Sequence, residues 1–318
     1  GEGRVGVGSL PIAPEPFELP LELNGPLDIP ASVARFRRWG DDLLDRWDGQ
    51  TFVRATTLDG AVVPYACTVT GTVERPQVRV LVRRASEREG VAQVVRELFS
   101  SPNATALAQL AAEDPALGRL HAAYPGFRGI RHTDGLASLV RAISAQQVNL
   151  TWAATTRRRL VELVGERYAV GPHMVYALSA PRLAQTTVAQ LRELQFTTRK
   201  AEYLVDIARR VVTGALDLPG LAALSDAAVI ESLVAVRGIG RWTAEWYLAR
   251  TLGRPVVVAG DLGVRKAVGA LYLGGAMPTE AQVRGLTAHW RLAAGAAQEL
   301  ALHGLAQAYA FAAPTGAG

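Results

Sequence analysis

The stretch LVAVRGIGRWTAEWYLAR, which runs from Leu233 to Arg250, decides the fold of this 318-residue chain. An apolar run leads into Gly238 and Gly240, and a Thr-Ala pair and a second apolar run follow. Such a pattern fits a dinucleotide-binding turn, a hairpin that holds a nucleic acid backbone, or a plain turn between two core helices. The neighbouring residues distinguish among these three structures.

The glycine pair fits a dinucleotide-binding fold poorly. That fold requires a strand, then G-x-G-x-x-G, then a helix, and its third glycine lets helix and strand pack closely. Thr243 occupies the third position here, and the residues before Gly238 have the pattern of a helix with Ser225 as its N-cap. The pattern therefore favours a helix, a tight hairpin and a second helix.

A hairpin of this kind can hold a phosphate group. Gly238 and Gly240 permit backbone conformations and a close approach that a Cβ would prevent. The amides at the start of the second helix point outward, and the positive end of the helix dipole favours an anion there. A plain turn between core helices has the same backbone, so the hairpin alone leaves both interpretations open.

Composition narrows the class of protein. The chain is 49% hydrophobic and 20% charged, which is enough apolar material for roughly two or three domains. Its single cysteine, Cys67, cannot form an internal disulfide or supply an iron-sulfur cluster, and its strand-like surroundings predict a buried side chain. Because neither a long apolar span nor a secretory leader is present, we expect an intracellular, cytoplasmic protein and no membrane partner.

Charge is distributed unevenly along the chain. Residues 1–100 contain 12 Arg and 14 acidic residues, whereas residues 101–318 contain 22 basic and 15 acidic residues. The second region is therefore the one expected to meet a polyanion. An excess of this size is common, and the Arg-Arg-Arg run at 157–159 also fits a solvated helix face, so charge alone does not identify the partner.

Residues 16–100 have the pattern of an α+β domain. Asp59-Gly60 separates runs rich in β-branched residues, which predicts a hairpin within an antiparallel sheet over 52–84. Helical patterns at 31–47 and 90–99 flank the sheet.

Residues 101–311 have a helical pattern throughout, which predicts about ten short helices. The glycine hairpin lies within this region, at 229–250. The two ends, 1–15 and 312–318, are rich in small residues and predict flexible tails.

Asp261 lies 21 residues after Gly240, in the segment RPVVVAGDLGVRKAVG. Together with the hairpin, it resembles the helix-hairpin-helix DNA glycosylase superfamily, whose mark is a hydrophobic-Gly-hydrophobic-Gly hairpin followed at this distance by a catalytic Asp. The sequence is most similar to the 3-methyladenine DNA glycosylase II branch. The segments that carry this resemblance are EDPALGRL at 113–120, LVRAISAQQVNLTWA at 139–153 and LRELQFTTRKAEYLVDIA at 191–208.

The resemblance is close over residues 95–275 and looser before them. It implies an α+β fold class in which a TATA-box-binding-protein-like antiparallel sheet domain precedes an all-α helix-hairpin-helix glycosylase core. The implied activity is a DNA glycosylase that flips an alkylated base out of duplex DNA and hydrolyses its N-glycosidic bond, leaving an abasic site for base excision repair. The expected partner is double-stranded DNA containing alkylated bases, bound by a monomer.

The resemblance gives Asp261 the catalytic role. As the glycosidic bond breaks, positive charge grows on the sugar, and a nearby carboxylate stabilises it and helps to orient an attacking water. An ordinary helix N-cap before LGVRKAVG explains the same residue, and the two roles can coexist.

The hairpin and the helix after Asp261 supply the expected DNA contacts. The residues expected to bind the DNA backbone are Arg237, Gly238, Gly240, Arg241, Thr243, Arg265 and Lys266. The resemblance also implies a structural monovalent cation, Na⁺ or K⁺, at the carbonyls of Val236, Gly238 and Gly240. No cofactor is expected for catalysis.

A side chain must fill the gap that a flipped base leaves in the stack. The match to the branch's helix assigns this wedge to Gln147, with Gln146 beside it. A helix end with polar solvent contacts is the alternative interpretation of both residues.

An aromatic wall is expected to bind the cationic alkylated base by stacking and cation-π contact. Trp242 and Trp246 lie four residues apart on the second hairpin helix and are the main candidates. Packing as core aromatics is the alternative for both. Phe36 and Trp39, in a segment that could reach over the cleft, are weaker candidates.

Lysine usage predicts hydrolysis without strand cleavage. Superfamily members that also cut the strand form a Schiff base through a lysine in the G-x-G-x-K-T-A slot, and Trp242 occupies that slot here. The chain has only two lysines, Lys200 and Lys266. An oxidised-base glycosylase with lyase activity is therefore disfavoured, and a non-catalytic helix-hairpin-helix DNA-binding module is the remaining alternative.

The sequence departs from the branch after Trp290. The branch usually has an aromatic-Arg-Ser turn there, but this chain has WRLAAGAAQELALHG. The missing bulk predicts a wider pocket and a broader range of small alkylated bases.

Overall fold

The computed structural model describes residues 16–100 and 102–311, which form a sheet-based N-terminal part and a larger helical part. The tails predicted at 1–15 and 312–318 lie outside the described residues. Within the described ranges, no helix combines the length and the apolar composition that crossing a membrane requires.

An antiparallel five-stranded sheet forms the N-terminal part. Its strands are β1 (Phe17–Glu22), β2 (Asp45–Trp47), β3 (Thr51–Leu58), β4 (Ala61–Val69) and β5 (Gln77–Val82). They lie in the order β1-β5-β4-β3-β2. The predicted hairpin is confirmed, because Leu58 pairs with Ala61 and the turn residues Asp59 and Gly60 have φ values of 49° and 78°. Left-handed values at both positions are what a type I′ turn requires, and Asp-Gly favours them.

One face of the sheet carries the N-terminal core. In β5, Val78 and Val80 are buried while Gln77 and Arg79 are exposed, which is the alternation of a half-buried strand. Cys67 is fully buried in the same core, as predicted. The helices that cover this face are α1 (Ile29–Val33), α2 (Arg35–Arg38) and α3 (Arg88–Leu98).

The helical segment predicted over 31–47 is shorter than expected. Helical structure ends at Arg38, and the chain turns at Gly40, which has a φ of 130°. The carboxylate of Asp42 then accepts a hydrogen bond from the backbone N–H of Leu44. Such local bonds compete with a helix, and the chain continues into β2 instead.

A β-hairpin interrupts the part of the chain that was predicted to be helical throughout. Its strands are β6 (Gly165–Val170) and β7 (His173–Leu178), and Gly171 turns the chain with a φ of 57°. Val170 and Val175 pack against Val53 and Ala66 on the second face of the five-stranded sheet. The hairpin therefore joins the helical part to the N-terminal part.

Helices make up most of the remaining described chain. They are α4 (Ala104–Glu113), α5 (Pro115–Ala123), α6 (Gly135–Ser144), α7 (Leu150–Val164), α8 (Ala180–Gln185), α9 (Val188–Glu193), α10 (Thr198–Thr213), α11 (Asp226–Val234), α12 (Arg241–Trp246), α13 (Leu262–Tyr272), α14 (Glu280–Thr287) and α15 (Ala294–Ala306). A π turn at Tyr247–Thr251 continues α12. Ser225 caps α11 as predicted, because its side chain accepts a hydrogen bond from Ala228 N.

Two apolar cores fill the helical part. The first lies among α6 to α12 and contains Leu204, and the second lies among α4, α5 and α13 to α15 around Trp290. Ile239 of the glycine hairpin is buried in the first core, whereas Val258, just before Asp261, is buried in the second. The hairpin and Asp261 therefore meet where the two cores adjoin.

Buried ion pairs connect the N-terminal part to the helical part. Asp42 binds Arg141 at 3.1 Å and Arg157 at 2.9 Å, and Asp45 binds Arg54 and Arg141. Burial raises the pKa of Asp42, but the two guanidinium groups outweigh burial and lower that pKa to about 2. Arg157, the first residue of the Arg-Arg-Arg run, therefore belongs to this interface and not to a solvated helix face.

Candidate active site

The two hairpin glycines are needed for different reasons. Gly238 has a φ of 93°, and a Cβ on it would overlap the ring of Tyr203. Gly240 has a φ of −90°, and among the described residues other than its two chain neighbours no atom lies within 4 Å of the place where its Cβ would stand. The fold itself requires glycine at position 238. At position 240 the glycine leaves open space at the start of α12 that another molecule can approach.

Asp261 begins helix α13 and faces the hairpin helix. Its Oδ1 accepts a hydrogen bond from Val264 N at 3.0 Å, so the N-cap interpretation is confirmed. Its Oδ2 accepts one from Trp246 Nε1 at 3.3 Å. Two donors from different elements therefore fix the orientation of this half-buried carboxylate. A capping role does not exclude a chemical role for the same side chain.

Trp242 lies over the residue that precedes Asp261. A Cβ on Gly260 would overlap Trp242 Nε1, so the indole rests directly against the Gly260 backbone. Trp242 is nevertheless 52% exposed. An aromatic surface is therefore open beside Asp261, which a core aromatic would not provide.

Trp246 is packed more tightly than Trp242. It is half-buried against the core around Trp290, and the Arg250 guanidinium lies 3.8 Å from its ring centroid. One face of Trp246 therefore already carries a cation of the protein, so an open wall is available at most on the other face. Sequence reasoning missed Arg250, although its i,i+4 spacing from Trp246 on a helix was a usable signal.

The two N-terminal aromatic candidates have different environments. Phe36 is buried in the N-terminal core, with its ring centroid 5.4 Å from Phe52 and 5.6 Å from His132. This packing places Phe36 in the core, and its predicted pocket role stays a prediction. Trp39 is 45% exposed at the end of α2, beside Gly40, which approaches Ala154 of α7, and its role stays a prediction.

The two adjacent glutamines in the loop between α6 and α7 have different environments. Gln147 is exposed and has a φ of 56°, so it projects from the loop in a conformation that few non-glycine residues adopt. Gln146 instead donates a hydrogen bond from Nε2 to the Gly238 carbonyl at 3.0 Å. The structure therefore leaves Gln147 as the wedge candidate and gives Gln146 a different role, which is to tie the loop to the hairpin.

Two buried cations hold the base of this loop. Lys200 Nζ donates to the Ser144 carbonyl at 3.0 Å, and Arg157 Nη1 donates to the Ser144 hydroxyl at 2.9 Å. Burial lowers the pKa of Lys200. One of the two lysines of the chain is therefore occupied in supporting the end of α6.

The residues predicted to bind the DNA backbone lie on the hairpin and on the helices α12 and α13. Arg237 pairs with Glu202 at 3.1 Å and Arg241 with Glu245 at 2.9 Å, yet both arginine side chains remain about two-thirds exposed. Thr243 is half-buried on α12, and Lys266 is exposed on α13. Arg265 is half-buried and donates from Nε to the Pro278 carbonyl at 2.9 Å. The most accessible cations are therefore Arg237, Arg241 and Lys266.

Open glycine backbone, exposed cations and a fixed carboxylate at the start of α13 together define a helix-hairpin-helix protein. Residues 140–291, which lie in the helical part of the chain, match the model of the HhH-GPD superfamily of base excision DNA repair proteins. The similar proteins include several that are named 3-methyladenine DNA glycosylases.

Three similar proteins illustrate this likeness. The DNA-3-methyladenine glycosylase of Bacillus subtilis is 26% identical over 208 residues, which cover 64% of this chain and 69% of that protein. DNA-3-methyladenine glycosylase 2 of Escherichia coli is 34% identical over 135 residues, or 42% of this chain and 47% of its own length. The solved 3-methyladenine DNA-glycosylase from Archaeoglobus fulgidus has a TM-score of 0.79 at 25% identity and covers 92% of this chain and 100% of its own. The sequence match thus spans about half the length of the Escherichia coli relative.

Proposed function

We propose that this protein is a DNA glycosylase that removes alkylated bases from duplex DNA by hydrolysing the N-glycosidic bond. The observation that carries this proposal is the Asp261 carboxylate, which is held by two donors and lies beside the exposed indole of Trp242. A DNA-binding module needs the hairpin but has no use for an oriented carboxylate next to an open aromatic surface.

Duplex binding begins at the hairpin in this proposal. The open backbone at Gly240 and the α12 amides receive a phosphate, and the exposed Arg237 and Arg241 side chains add charge. The target nucleotide leaves the stack, and Gln147 fills the gap.

Bond cleavage then takes place at Asp261. Its carboxylate stabilises the positive charge that develops on the sugar and orients the attacking water. Alkylation has already made the base a cationic leaving group, so recognition matters more than proton donation. The open face of Trp242 attracts such a base by stacking and cation-π contact.

Hydrolysis without strand cleavage is the proposed outcome. A lyase requires an amine that can form a Schiff base with the sugar, and Trp242 stands where the superfamily's lyases have lysine. Lys200 is committed to the Ser144 carbonyl, and Lys266 lies on the exposed side of α13. An oxidised-base glycosylase with lyase activity would depend on Lys266 alone.

A monovalent cation in the hairpin is a further part of the proposal. The Val236 and Gly238 carbonyls accept single hydrogen bonds, from Ile239 N and Gln146 Nε2, and each oxygen keeps a second lone pair for a cation. The Gly240 carbonyl accepts from Ala244 N within α12, so it fits this role less well than the other two. When bound, the ion would add positive charge near the DNA phosphate.

Substitution of Asp261 by asparagine tests the proposal. Asn caps helices as well as Asp does, so α13 should stay folded, while the single-turnover rate of base release should fall about 100-fold or more. Asp28→Asn is the matched control, because Asp28 caps α1 in the same way and should leave the rate unchanged. Equal base release by wild type and Asp261→Asn would overturn the catalytic assignment.

A further inference from the structure

The segment that departs from the branch supplies one buried and one mostly buried polar residue next to the candidate active site. After Trp290 the chain bends at Arg291, which has a φ of 45°, and then enters α15. Near the start of this helix, Gln298 is 1% exposed and the Glu299 side chain is 14% exposed. Polar groups this deep in an apolar helix must be satisfied by specific partners.

Gln298 binds the chain that leads into Asp261. Its Oε1 accepts a hydrogen bond from Val258 N at 2.7 Å, and its Nε2 donates to the Val256 carbonyl at 3.4 Å. The Val258 carbonyl in turn accepts from Asp261 N at 3.1 Å. The backbone of Asp261 is therefore connected to α15 through a single residue, Val258.

Glu299 binds the Arg250 guanidinium, which lies against the ring of Trp246. Its Oε1 accepts from Arg250 Nε at 2.7 Å, and its Oε2 accepts from Arg35 Nη1 at 3.3 Å. Burial raises the pKa of Glu299, but the two arginines outweigh burial and lower that pKa, so the carboxylate is ionised at neutral pH. The Arg250 guanidinium covers Trp246, whose Nε1 donates to Asp261 Oδ2.

We propose that Gln298 and Glu299 are positioning residues that together fix the Asp261 carboxylate, Gln298 through its backbone and Glu299 through Arg250 and Trp246. This inference rests on the proposed function, because it assigns the two side chains to the reaction at Asp261. Glu299 has a second effect, since its negative charge compensates two arginines close to the place where positive charge develops. The segment that lacks the branch's aromatic-Arg-Ser turn thus contributes a polar support instead.

The experiment measures base release from duplex DNA containing 7-methylguanine with enzyme in excess and at saturation. As long as the folded enzyme remains in excess and saturating, partial unfolding leaves the rate constant unchanged, whereas mispositioning of Asp261 lowers the rate constant. Gln298→Met removes both hydrogen bonds of Gln298 at nearly constant shape. Glu299→Gln removes the charge of Glu299 at constant shape.

Matched controls are available on exposed helix faces. Gln93→Met replaces a glutamine that bonds Glu97 on α3, and Glu162→Gln replaces a carboxylate paired with Arg158 on α7. Val95→Ala serves as a destabilising control, because it leaves a cavity in the N-terminal core. These three variants should keep the wild-type rate constant within about 2-fold.

We expect Gln298→Met and Glu299→Gln each to lower the rate constant about 10-fold, while affinity for abasic-site DNA stays within about 2-fold. Glu299→Asp, which keeps the charge, should recover at least about a third of the wild-type rate. The ¹⁹F resonance of 5-fluorotryptophan at position 246, assigned with Trp246→Phe, should shift in Glu299→Gln and remain in place in Glu162→Gln.

Wild-type rate constants in both variants, with Asp261→Asn inactive, would overturn this inference and leave the proposed function intact. Low activity that follows only the folded fraction would also overturn it, because a merely structural role predicts that result. Failure of the wild type to release the base would overturn the proposed function and this inference together.

Discussion

At the scale of single residues, the role of each side chain in the candidate site follows from its own exposure and contacts. Trp242 and Trp246 are both predicted from one spacing, yet the first is half-exposed and the second carries Arg250 on its ring. The i,i+4 spacing predicts the contact between Trp246 and Arg250. It does not predict the contact between Arg250 and Glu299, which lie 49 residues apart in the sequence. Only folding brings that second partner into contact.

Replacement of Trp242 by alanine tests the aromatic wall. Because Trp242 is 52% exposed, its loss should leave the stability of the fold nearly unchanged while removing the stacking surface beside Asp261. We expect release of a cationic base to slow about 10-fold, since a cation-π contact contributes about 1–2 kcal/mol. Single-turnover kinetics and thermal unfolding of the same preparation measure both effects. A rate equal to that of wild type would remove Trp242 from the pocket.

At the scale of elements, the hairpin couples local sequence to long-range packing. Its turn is predictable, because two glycines at this spacing between helical patterns favour a tight hairpin between two helices. The bond from Gln146 to the Gly238 carbonyl is not predictable, because it joins residues 92 positions apart. For the same reason the sequence analysis missed the 165–178 hairpin, whose two strands pair with each other and pack against the N-terminal sheet.

Alanine substitutions at the two glycines should separate folding from binding. Gly238→Ala should lower the free energy of unfolding by more than about 2 kcal/mol, because of its positive φ and the overlap with Tyr203. Gly240→Ala should cost less than about 1 kcal/mol but weaken duplex DNA binding, because its Cβ projects into open space. Urea unfolding and titration of DNA at fixed salt measure the pair. Equal DNA affinity of Gly240→Ala and wild type would contradict phosphate binding at this position.

At the scale of the whole molecule, charge is used in two ways. Exposed arginines surround the hairpin, whereas Asp42, Asp45 and their arginine partners are buried between the two parts. The uneven charge along the chain is visible in the sequence, but composition does not show which arginines form ion pairs in the interior of the protein. Arg157 lies in a basic run and yet contributes to the interface.

Acid should weaken this interface. The pKa of Asp42 is lowered from 3.8 to about 2 in the folded chain, so its contribution is present above about pH 4 and is lost as pH falls toward 2, a change of about 2 kcal/mol. Asp42→Asn should lose about 3–5 kcal/mol at pH 7 and less at pH 3. Urea unfolding at the two pH values measures the change, with Asp206→Asn, an exposed pair with Arg210, as the control. A loss for Asp42→Asn that does not depend on pH would contradict this account.

The central claim is that this molecule hydrolyses an N-glycosidic bond, and the most direct test is the product. Wild-type protein is incubated with duplex DNA containing 7-methylguanine, free base is separated by chromatography, and the strand is analysed before alkali, after alkali and with borohydride present. The account predicts free base, an intact strand that breaks only after alkali, and no borohydride-trapped complex. DNA binding without base release, or strand cleavage with a trapped complex, would contradict it.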